Sequence, residues 1–141
     1  MSNVTIKGAT HNVVYVATEN NTIYALDAET PGASPLWQIN LGTPVNCGPN
    51  VVPDLSWENC TNTLEPWYNM FPLIGITATP VIDASTNTMY VVNVAVVSNQ
   101  QQHYLHAIDI TSGAEKFNGP VKITATVAGT GDGGTTVTYN P

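Results

Sequence analysis

Charged side chains are scarce in this chain, and arginine is missing altogether. Only 9% of the 141 residues are charged, against roughly 25% in ordinary soluble domains. The basic residues are Lys7, Lys116 and Lys122, and the formal net charge is -7. Because phosphate groups are bound by clustered cations, this composition argues against a nucleic-acid partner and against an anionic membrane surface.

Long apolar runs are also missing. No run approaches the roughly 20 residues that a membrane-spanning helix needs. The N-terminal sequence MSNVTIKGAT has neither the basic start nor the apolar core of a signal peptide. Two origins stay open, a cytosolic chain or a secreted chain whose leader has been removed. The low charge and the many threonines favour a secreted or extracytoplasmic protein.

Cysteine is limited to Cys47 and Cys60. A disulfide between them would close a short loop and add about 3 kcal/mol to the free energy of unfolding. The alternative is a pair of free thiols. In an extracytoplasmic chain we expect the disulfide.

Helical signals are missing as well. No stretch combines a 3.6-residue apolar period with helix caps. Ten Pro and eleven Gly punctuate the chain, and the runs between them are rich in β-branched and aromatic residues. This pattern predicts an all-β fold of short strands joined by turns.

Two segments of the chain repeat one another. The sequence NVVYVA at residues 12–17 matches NTMYVV at residues 87–92, and IYALD at residues 23–27 matches LHAID at residues 105–109. Each copy contains two β-like runs separated by a turn, so each predicts a hairpin. A chain built from such copies stacks one sheet unit on the next, because one unit cannot hide its own core.

Each copy predicts a small antiparallel sheet. In the first copy we expect strands at residues 13–18, 22–27 and 36–41, with residues 5–8 as a fourth, innermost strand. In the second copy we expect strands at residues 76–82, 89–97, 103–110 and 121–126, with turns at residues 83–87 and 98–102.

The two copies resemble the repeat of the pyrroloquinoline-quinone-type β-propeller family. The resemblance rests on residues 14–27 with Trp37 in the first copy, and on residues 76–83, 89–92 and 106–109 with Gly113 and Phe117 in the second. It covers about two-thirds of the chain and implies all-β blades of four antiparallel strands, here about two blades of a larger ring.

The resemblance also implies a role for the residues that recur at the end of each copy. Asp27 and Asp109 are expected to cap the turns that follow them, with their carboxylates accepting backbone N–H bonds. Trp37 and Phe117 are expected to wedge between neighbouring blades. These are structural roles.

The repeat sets the expected domain organisation. Residues 1–42 form the first blade and residues 76–127 the second. Residues 43–75 form a long insert tied by the disulfide. Residues 128–141 form a Gly- and Thr-rich tail or the start of a further blade.

The resemblance does not imply a cofactor in this chain. Dehydrogenases of the family hold the quinone between a Trp and a disulfide of adjacent cysteines, beside Ca²⁺, whereas Cys47 and Cys60 are not adjacent. We therefore expect no cofactor and no catalytic residue. His103 and His106 lie on one predicted strand and point to opposite faces, so we expect no metal site there either.

Aromatic side chains in the insert are the best candidates for a ligand platform. Trp57, Trp67, Tyr68 and Phe71 are suited to stacking on a sugar or a partner side chain. The alternative, which we favour, is that they form a small core of the insert around the cysteine pair.

Three functions follow from these patterns. The first is a non-catalytic propeller module for structural assembly or protein interaction, completed by self-association or by further blades. The second is a fragment of a quinoprotein-like oxidoreductase, and the third is a glycan-binding module that uses the insert aromatics. We expect the first, because two blades cannot close a ring and would leave apolar faces exposed.

Overall fold

A computed structural model describes residues 1–46, 72–130 and 133–139, and it contains no helix in these ranges. The strands within these ranges are β1 (Val4–Ile6), β2 (Ala9–His11), β3 (Val13–Ala17), β4 (Thr22–Asp27), β5 (Trp37–Asn40), β6 (Val45–Asn46), β7 (Leu73–Ile74), β8 (Val81–Asp83), β9 (Thr88–Val97), β10 (Gln100–Asp109), β11 (Val121–Lys122), β12 (Thr126–Ala128) and β13 (Thr136–Thr138).

Two larger sheets dominate the fold. Sheet I has three strands in the order β3-β4-β5, and sheet II has four strands in the order β11-β10-β9-β8. Three two-stranded sheets join β1 to β2, β6 to β7 and β12 to β13. All strand pairs are antiparallel. The predicted all-β fold is confirmed over the described residues, whose sheets form no closed ring.

The hairpins of sheets I and II have the same register. In sheet I, Tyr15 lies opposite Ala25, and in sheet II, Tyr90 lies opposite Ala107. These are the residues that the sequence repeat aligns. Because a register slip of one residue would move every side chain to the other face, matching residues in the two copies occupy matching faces.

The two hairpins differ in length. Strands β3 and β4 have five and six residues, whereas β9 and β10 have ten each. The long hairpin reverses at Ser98 and Asn99, whose φ angles are 52° and 60°. Two left-handed residues suffice for such a turn, so the longer turn predicted at residues 98–102 is wrong.

The fourth, innermost strand predicted at residues 5–8 is also wrong. The chain reverses at Lys7 and Gly8, where φ is 51° and 85°, and β1 pairs with β2 instead of joining sheet I. The outer edge of β3 is covered by the N-terminus. The Met1 amino group donates to the Val13 carbonyl at 2.6 Å, and the Val13 N–H donates back to Met1 O at 2.7 Å.

Two strands predicted in the second copy are shorter in the structure. A strand was predicted at residues 76–82, but pairing with a neighbouring strand begins only at Val81. The strand predicted at residues 121–126 ends at Lys122. Beyond it, β12 pairs with β13 rather than with sheet II. The start of the 128–141 segment is therefore part of a separate hairpin.

One apolar core lies between the two large sheets. Strand β1, both large sheets and the flanking segments contribute to it. Its buried members are Val4, Ile6, Val13, Ile23, Ala25, Trp37, Ile76, Met89, Val91, Ile108 and Ile110. Burial of this many large apolar groups is the main source of stability for the fold.

The insert begins and ends in a pair of short strands. Val45 on β6 lies opposite Ile74 on β7, so the two ends of the insert are held side by side. The cysteine pair and the four insert aromatics lie outside the described residues. In the part of the chain that is described, no helix is long and apolar enough to cross a membrane.

Candidate functional site

The aspartates that end the two hairpins hold the turns that follow them. Asp27 accepts the N–H of Glu29 at 2.9 Å and the Nδ1–H of His11 at 2.8 Å. These two hydrogen bonds lower the pKa of Asp27. The carboxylate thus replaces backbone acceptors at the first residues of the turn, as in an Asx turn.

Asp109 holds the corresponding turn in the second copy, with different side-chain partners. Its Oδ1 accepts the N–H of Thr111 at 2.7 Å and the Thr111 hydroxyl at 2.6 Å. Burial raises the pKa of Asp109, but the Thr111 hydrogen bonds and the Lys116 charge outweigh it, so the net pKa is lowered. Both aspartates are therefore held ionised as structural acceptors.

Trp37 of sheet I docks on the turn that follows Asp109. Its indole Nε1–H donates to the Ile110 carbonyl at 3.0 Å, and its side chain is buried, with 8% of its surface exposed. Burying an aromatic side chain contributes roughly 3 kcal/mol. The Trp37 ring therefore joins the two sheets: sheet I contributes the indole, and the turn after β10 of sheet II contributes the carbonyl.

Tyr15 reaches the same carbonyl from the same face of sheet I. Its hydroxyl donates to Ile110 O at 2.9 Å, and its ring centroid is 5.8 Å from that of Trp37. Burial and the negative charge of Asp109 raise the pKa of Tyr15 to about 12. One carbonyl oxygen thus accepts two side-chain donors, which uses both of its lone pairs.

Gly113 provides the surface on which the indole lies. A Cβ at this position would lie 2.8 Å from Trp37 Cε3, closer than van der Waals contact permits. Its φ of +76° is also a conformation that side chains rarely adopt. The turn therefore requires glycine for two independent reasons.

Polar side chains at the other end of the hairpins also bridge the sheets. Asn21 Nδ2 donates to the Val94 carbonyl at 2.8 Å, and Asn93 Nδ2 donates to the Leu41 carbonyl at 3.0 Å. Both asparagines are fully buried. Together with the Trp37 contact, these bonds fix the two sheets at both ends of their shared core.

The faces that meet in this core are not equivalent. Sheet I contributes the face that carries Tyr15, Ala25 and Trp37, which we call the aromatic face. Sheet II contributes the face that carries Met89 and Val91. A two-fold sandwich would pair equivalent faces, so the two units are instead stacked in the same sense, one behind the other.

The second face, which we call the aliphatic face, is defined by the sequence repeat. Met89 and Val91 match Val14 and Val16 in the NVVYVA and NTMYVV segments. In sheet II this face is buried, with Met89 only 1% exposed, whereas Val14 in sheet I is 49% exposed. Equivalent side chains thus have opposite burial, because among the described residues only sheet II has another sheet packed on that side.

The aromatic face of sheet II is likewise exposed. Its apolar side chains form two rows across the sheet, since cross-strand partners share a face. One row runs through Val81, Tyr90 and Ala107, and the other through Val92, Leu105 and Val121. Val121 is 60% exposed, whereas its counterpart in sheet I, Ile39, packs on the core.

Phe117 holds the position in sheet II that Trp37 holds in sheet I. The N–H of Lys116 donates to Ala107 O, just as the N–H of Leu36 donates to Ala25 O. Phe117 has φ of 57° and is 68% exposed. The expected wedge residues therefore differ: Trp37 lies between the two sheets, whereas Phe117 is exposed, with Lys116 Nζ 5.4 Å from its ring centroid.

A buried histidine links strands within sheet II. His106 Nε2 lies 3.1 Å from Asn93 Oδ1, and its Nδ1 lies 2.9 Å from Glu115 Oε2. Because Asn93 uses its amide nitrogen on Leu41, its oxygen is the acceptor and His106 Nε2 donates. The repeat identifies this position with Tyr24, but it gives no signal for the Asn93 and Glu115 partners.

His103 and His106 both lie on β10, and their side chains point to opposite faces of sheet II, as expected. His106 faces the core, and His103 lies on the aromatic face, where its Nδ1 is 3.1 Å from the Tyr139 hydroxyl. Partial burial lowers the pKa of His103. No group of three or more metal-ligating side chains occurs among residues 1–46, 72–130 and 133–139.

A polar pocket of about 370 Å³ lies beside the first hairpin. Its side chains bond to one another: His11 bonds Asp27, and Asn12 Nδ2 donates to Glu29 Oε1 at 2.9 Å. These bonds fix the entry and exit of the hairpin. The pocket is lined by Asn3, Thr10, His11, Asn12, Asp27 and Glu29.

Comparison with known proteins finds no matching family model, no matching curated protein and no matching solved structure. The function is therefore argued from the contacts of the chain itself.

Proposed function

We propose that this chain is a non-catalytic β-propeller module of about two blades, which acts in structural assembly or protein interaction. Sheet I and sheet II are the two blades, and the module is completed by further blades of the same kind. The proposal keeps the resemblance to the pyrroloquinoline-quinone-type repeat as a statement about architecture, without the quinone.

One observation carries this proposal: the aromatic face of one sheet packs on the aliphatic face of the next. Neighbouring blades of a propeller are related by rotation around a central axis, so each buries one face on the preceding blade and the other on the following blade. Same-sense stacking of matching hairpins supports this relation. A closed sandwich of two sheets does not require its sheets to stack in the same sense.

The polar groups at the junction support a structural role. The Ile110 carbonyl and the two turn aspartates bond to other protein groups, and the buried asparagines do so through Nδ2. Among the described side chains, Asn21 Oδ1 is buried without a hydrogen-bond partner. A general base or nucleophile needs a lone pair or proton aimed at substrate. The contacts of these residues are instead used to fix turns and join sheets.

The stacking is tested by comparing Gly113→Ala with Gly32→Ala. Both glycines have positive φ, +76° and +83°, but a Cβ at Gly32 meets nothing within 4 Å. Both variants lose about 1–2 kcal/mol from the left-handed backbone. Gly113→Ala loses a further 1–3 kcal/mol, roughly, because the methyl group displaces the Trp37 ring.

Urea unfolding of the two variants, at concentrations where the chain is monomeric, measures this difference. Equal losses of unfolding free energy would mean that Trp37 does not dock on the Gly113 turn, and the proposal would fail. In a Trp37→Ala background the two substitutions are expected to cost the same, since the ring contact is gone.

A further inference from the structure

We propose that the occupant of the two open faces is a second copy of this chain, docked head to tail. The aromatic face of sheet II in one copy packs on the aliphatic face of sheet I in the next. This inference rests on the proposed function and names its partner. It uses the contact between sheets I and II as the template for the contact between copies.

The template predicts which apolar side chains meet. Within the chain, Ile39 and Met89 lie in one core, on the aromatic and aliphatic sides respectively. Their repeat counterparts are Val121 and Val14, which are 60% and 49% exposed. In the contact between copies, Val121 of one chain takes the place of Ile39, and Val14 of the next takes the place of Met89.

The template also predicts the polar contact. Tyr15 donates to the carbonyl of Ile110, the residue after Asp109. The counterpart donor is Tyr90, whose hydroxyl has no partner within the described part of the chain. The counterpart acceptor is the carbonyl of Ala28, the residue after Asp27, which lies on an exposed turn.

The turn after Asp27 has a glycine where an aromatic side chain would dock, as the turn after Asp109 does. Gly32 has φ of +83° and open space around its Cα, as a glycine turn that receives a ring should have. Phe117, the counterpart of Trp37 in the second repeat, is the exposed ring that this turn would receive. Since Phe has no N–H donor, its docking supplies apolar contact without the second hydrogen bond that Trp37 makes.

Charge on these faces does not oppose the contact. The two rows of the aromatic face of sheet II consist of Val, Leu, Ala and Tyr side chains, and Asp83 and His103 lie on that face beyond the rows. The aliphatic face of sheet I carries Val14, Val16, Leu26, Tyr24 and the uncharged Gln38. Two complementary faces at opposite ends of one molecule make a heterologous contact, which closes into a ring when the rotation from copy to copy completes a full turn and otherwise builds an open filament. With four to eight blades in a propeller, such a ring holds about two to four copies.

The contact is tested by complementation of two face variants. Val121→Lys places a charge on the aromatic face of sheet II, and Val14→Lys places one on the aliphatic face of sheet I. Each variant alone is expected to weaken self-association roughly 30-fold or more, because a lysine must be desolvated at the centre of an apolar contact. Val127→Lys, on β12 and 65% exposed, is the matched control and keeps wild-type association.

Mixing the two variants gives the decisive result. Val121→Lys retains an intact aliphatic face and Val14→Lys an intact aromatic face, so together they form a complex of one copy each that cannot grow. Sedimentation and light scattering measure the mass of each sample. Circular dichroism checks folding, and Val81→Lys and Val16→Lys replace either variant on the same face should it fail to fold.

Three outcomes overturn the inference. Association blocked by only one of the two variants indicates a two-fold contact, and a mixture that stays monomeric excludes head-to-tail docking. A wild-type chain that stays monomeric at high concentration excludes a second copy as the occupant. That last result leaves the proposed function intact if Gly113→Ala still costs more than Gly32→Ala, and it then identifies further blades outside this sequence as the occupant.

Discussion

The carbonyl of Ile110 shows how single residues join two sheets. It accepts both the Tyr15 hydroxyl and the Trp37 indole, so its two donors come from sheet I while the carbonyl belongs to the turn after sheet II. The contact depends on atoms that are far apart in sequence. A change at any of these three residues acts on the junction rather than on one sheet alone.

Ionisation of Tyr15 is expected to weaken the fold at high pH. Its pKa rises from the ordinary 10.0 to about 12 in the folded chain. The associated stability is fully present below about pH 10 and is lost as the pH rises through about 12, because the unfolded chain releases the proton first. Urea midpoints across this window measure the loss.

Substitution of Tyr15 by phenylalanine isolates that contribution. Tyr15→Phe is expected to have a smaller loss of stability between about pH 10 and about pH 12, because the buried phenol is gone. Tyr139→Phe, which removes a tyrosine hydroxyl from the exposed segment after β13, is the matched control. Equal slopes for the wild type and Tyr15→Phe would contradict the assignment.

Residue roles were predictable where they are local and not where they depend on a neighbour. The recurrence of Asp before a turn predicts an acceptor for nearby N–H groups, and Asp27 and Asp109 have such bonds. Trp37 and Phe117 were both expected to be wedges, yet among the described residues only Trp37 contacts another sheet. The difference depends on which neighbouring element packs on each ring, and the sequence of one repeat does not contain that information.

At the scale of elements, the repeat predicts the hairpins well. Strand β4 occupies the predicted residues 22–27, and both copies share one register. The third and fourth strands were less predictable. In the second copy, Phe117 and Val121 are four residues apart where Trp37 and Ile39 are two apart. The outer strand is interrupted there by a turn in which Phe117 and Asn118 have positive φ, and no apolar period reveals it.

The buried polar network of sheet II is expected to be sensitive to Asn93. Asn93→Ala removes the partner of the Leu41 carbonyl and of His106 Nε2. Each buried group left without a partner costs about 1–3 kcal/mol. Chemical unfolding measures the change in the free energy of unfolding.

Asn40 provides the comparison for Asn93. It also donates through Nδ2, to Asn20 O at 2.9 Å and Thr22 Oγ1 at 3.0 Å, and its Oδ1 accepts the Gly42 N–H at 3.0 Å, but the side chain is exposed. Water replaces most of these bonds in the variant, so Asn40→Ala is expected to cost about 1 kcal/mol or less, below the cost of Asn93→Ala. If the two alanine variants were equally stable, the network would not contribute as its burial implies.

At the scale of the whole molecule, the net charge opposes association between copies. Every chain carries a formal charge of -7, and the contact faces themselves are apolar. Added salt screens the repulsion. The association constant is therefore expected to rise severalfold between low and physiological ionic strength.

Sedimentation at several salt concentrations measures this dependence. Val14→Lys is expected to stay monomeric throughout, which separates screening of a specific contact from general salting-out. Association that weakens as salt is added would show that copies are held by ion pairs instead of by the open apolar faces.

The architecture of the whole molecule was only partly open to prediction. Alternation along the strands identifies two apolar faces, but it does not say which face of sheet I meets which face of sheet II. That choice is made by the fit of Trp37 against Gly113 and by the buried asparagines. These contacts join residues more than fifty positions apart, so local sequence patterns do not reveal them.

The unequal hairpins limit the symmetry of any assembly. Strands β9 and β10 extend ten residues each, while β3 and β4 stop at five and six. A ring made of whole copies alternates short and long sheets, so the order of its rotational symmetry is half the number of its sheets. One rim of the ring then has a gap above each short sheet.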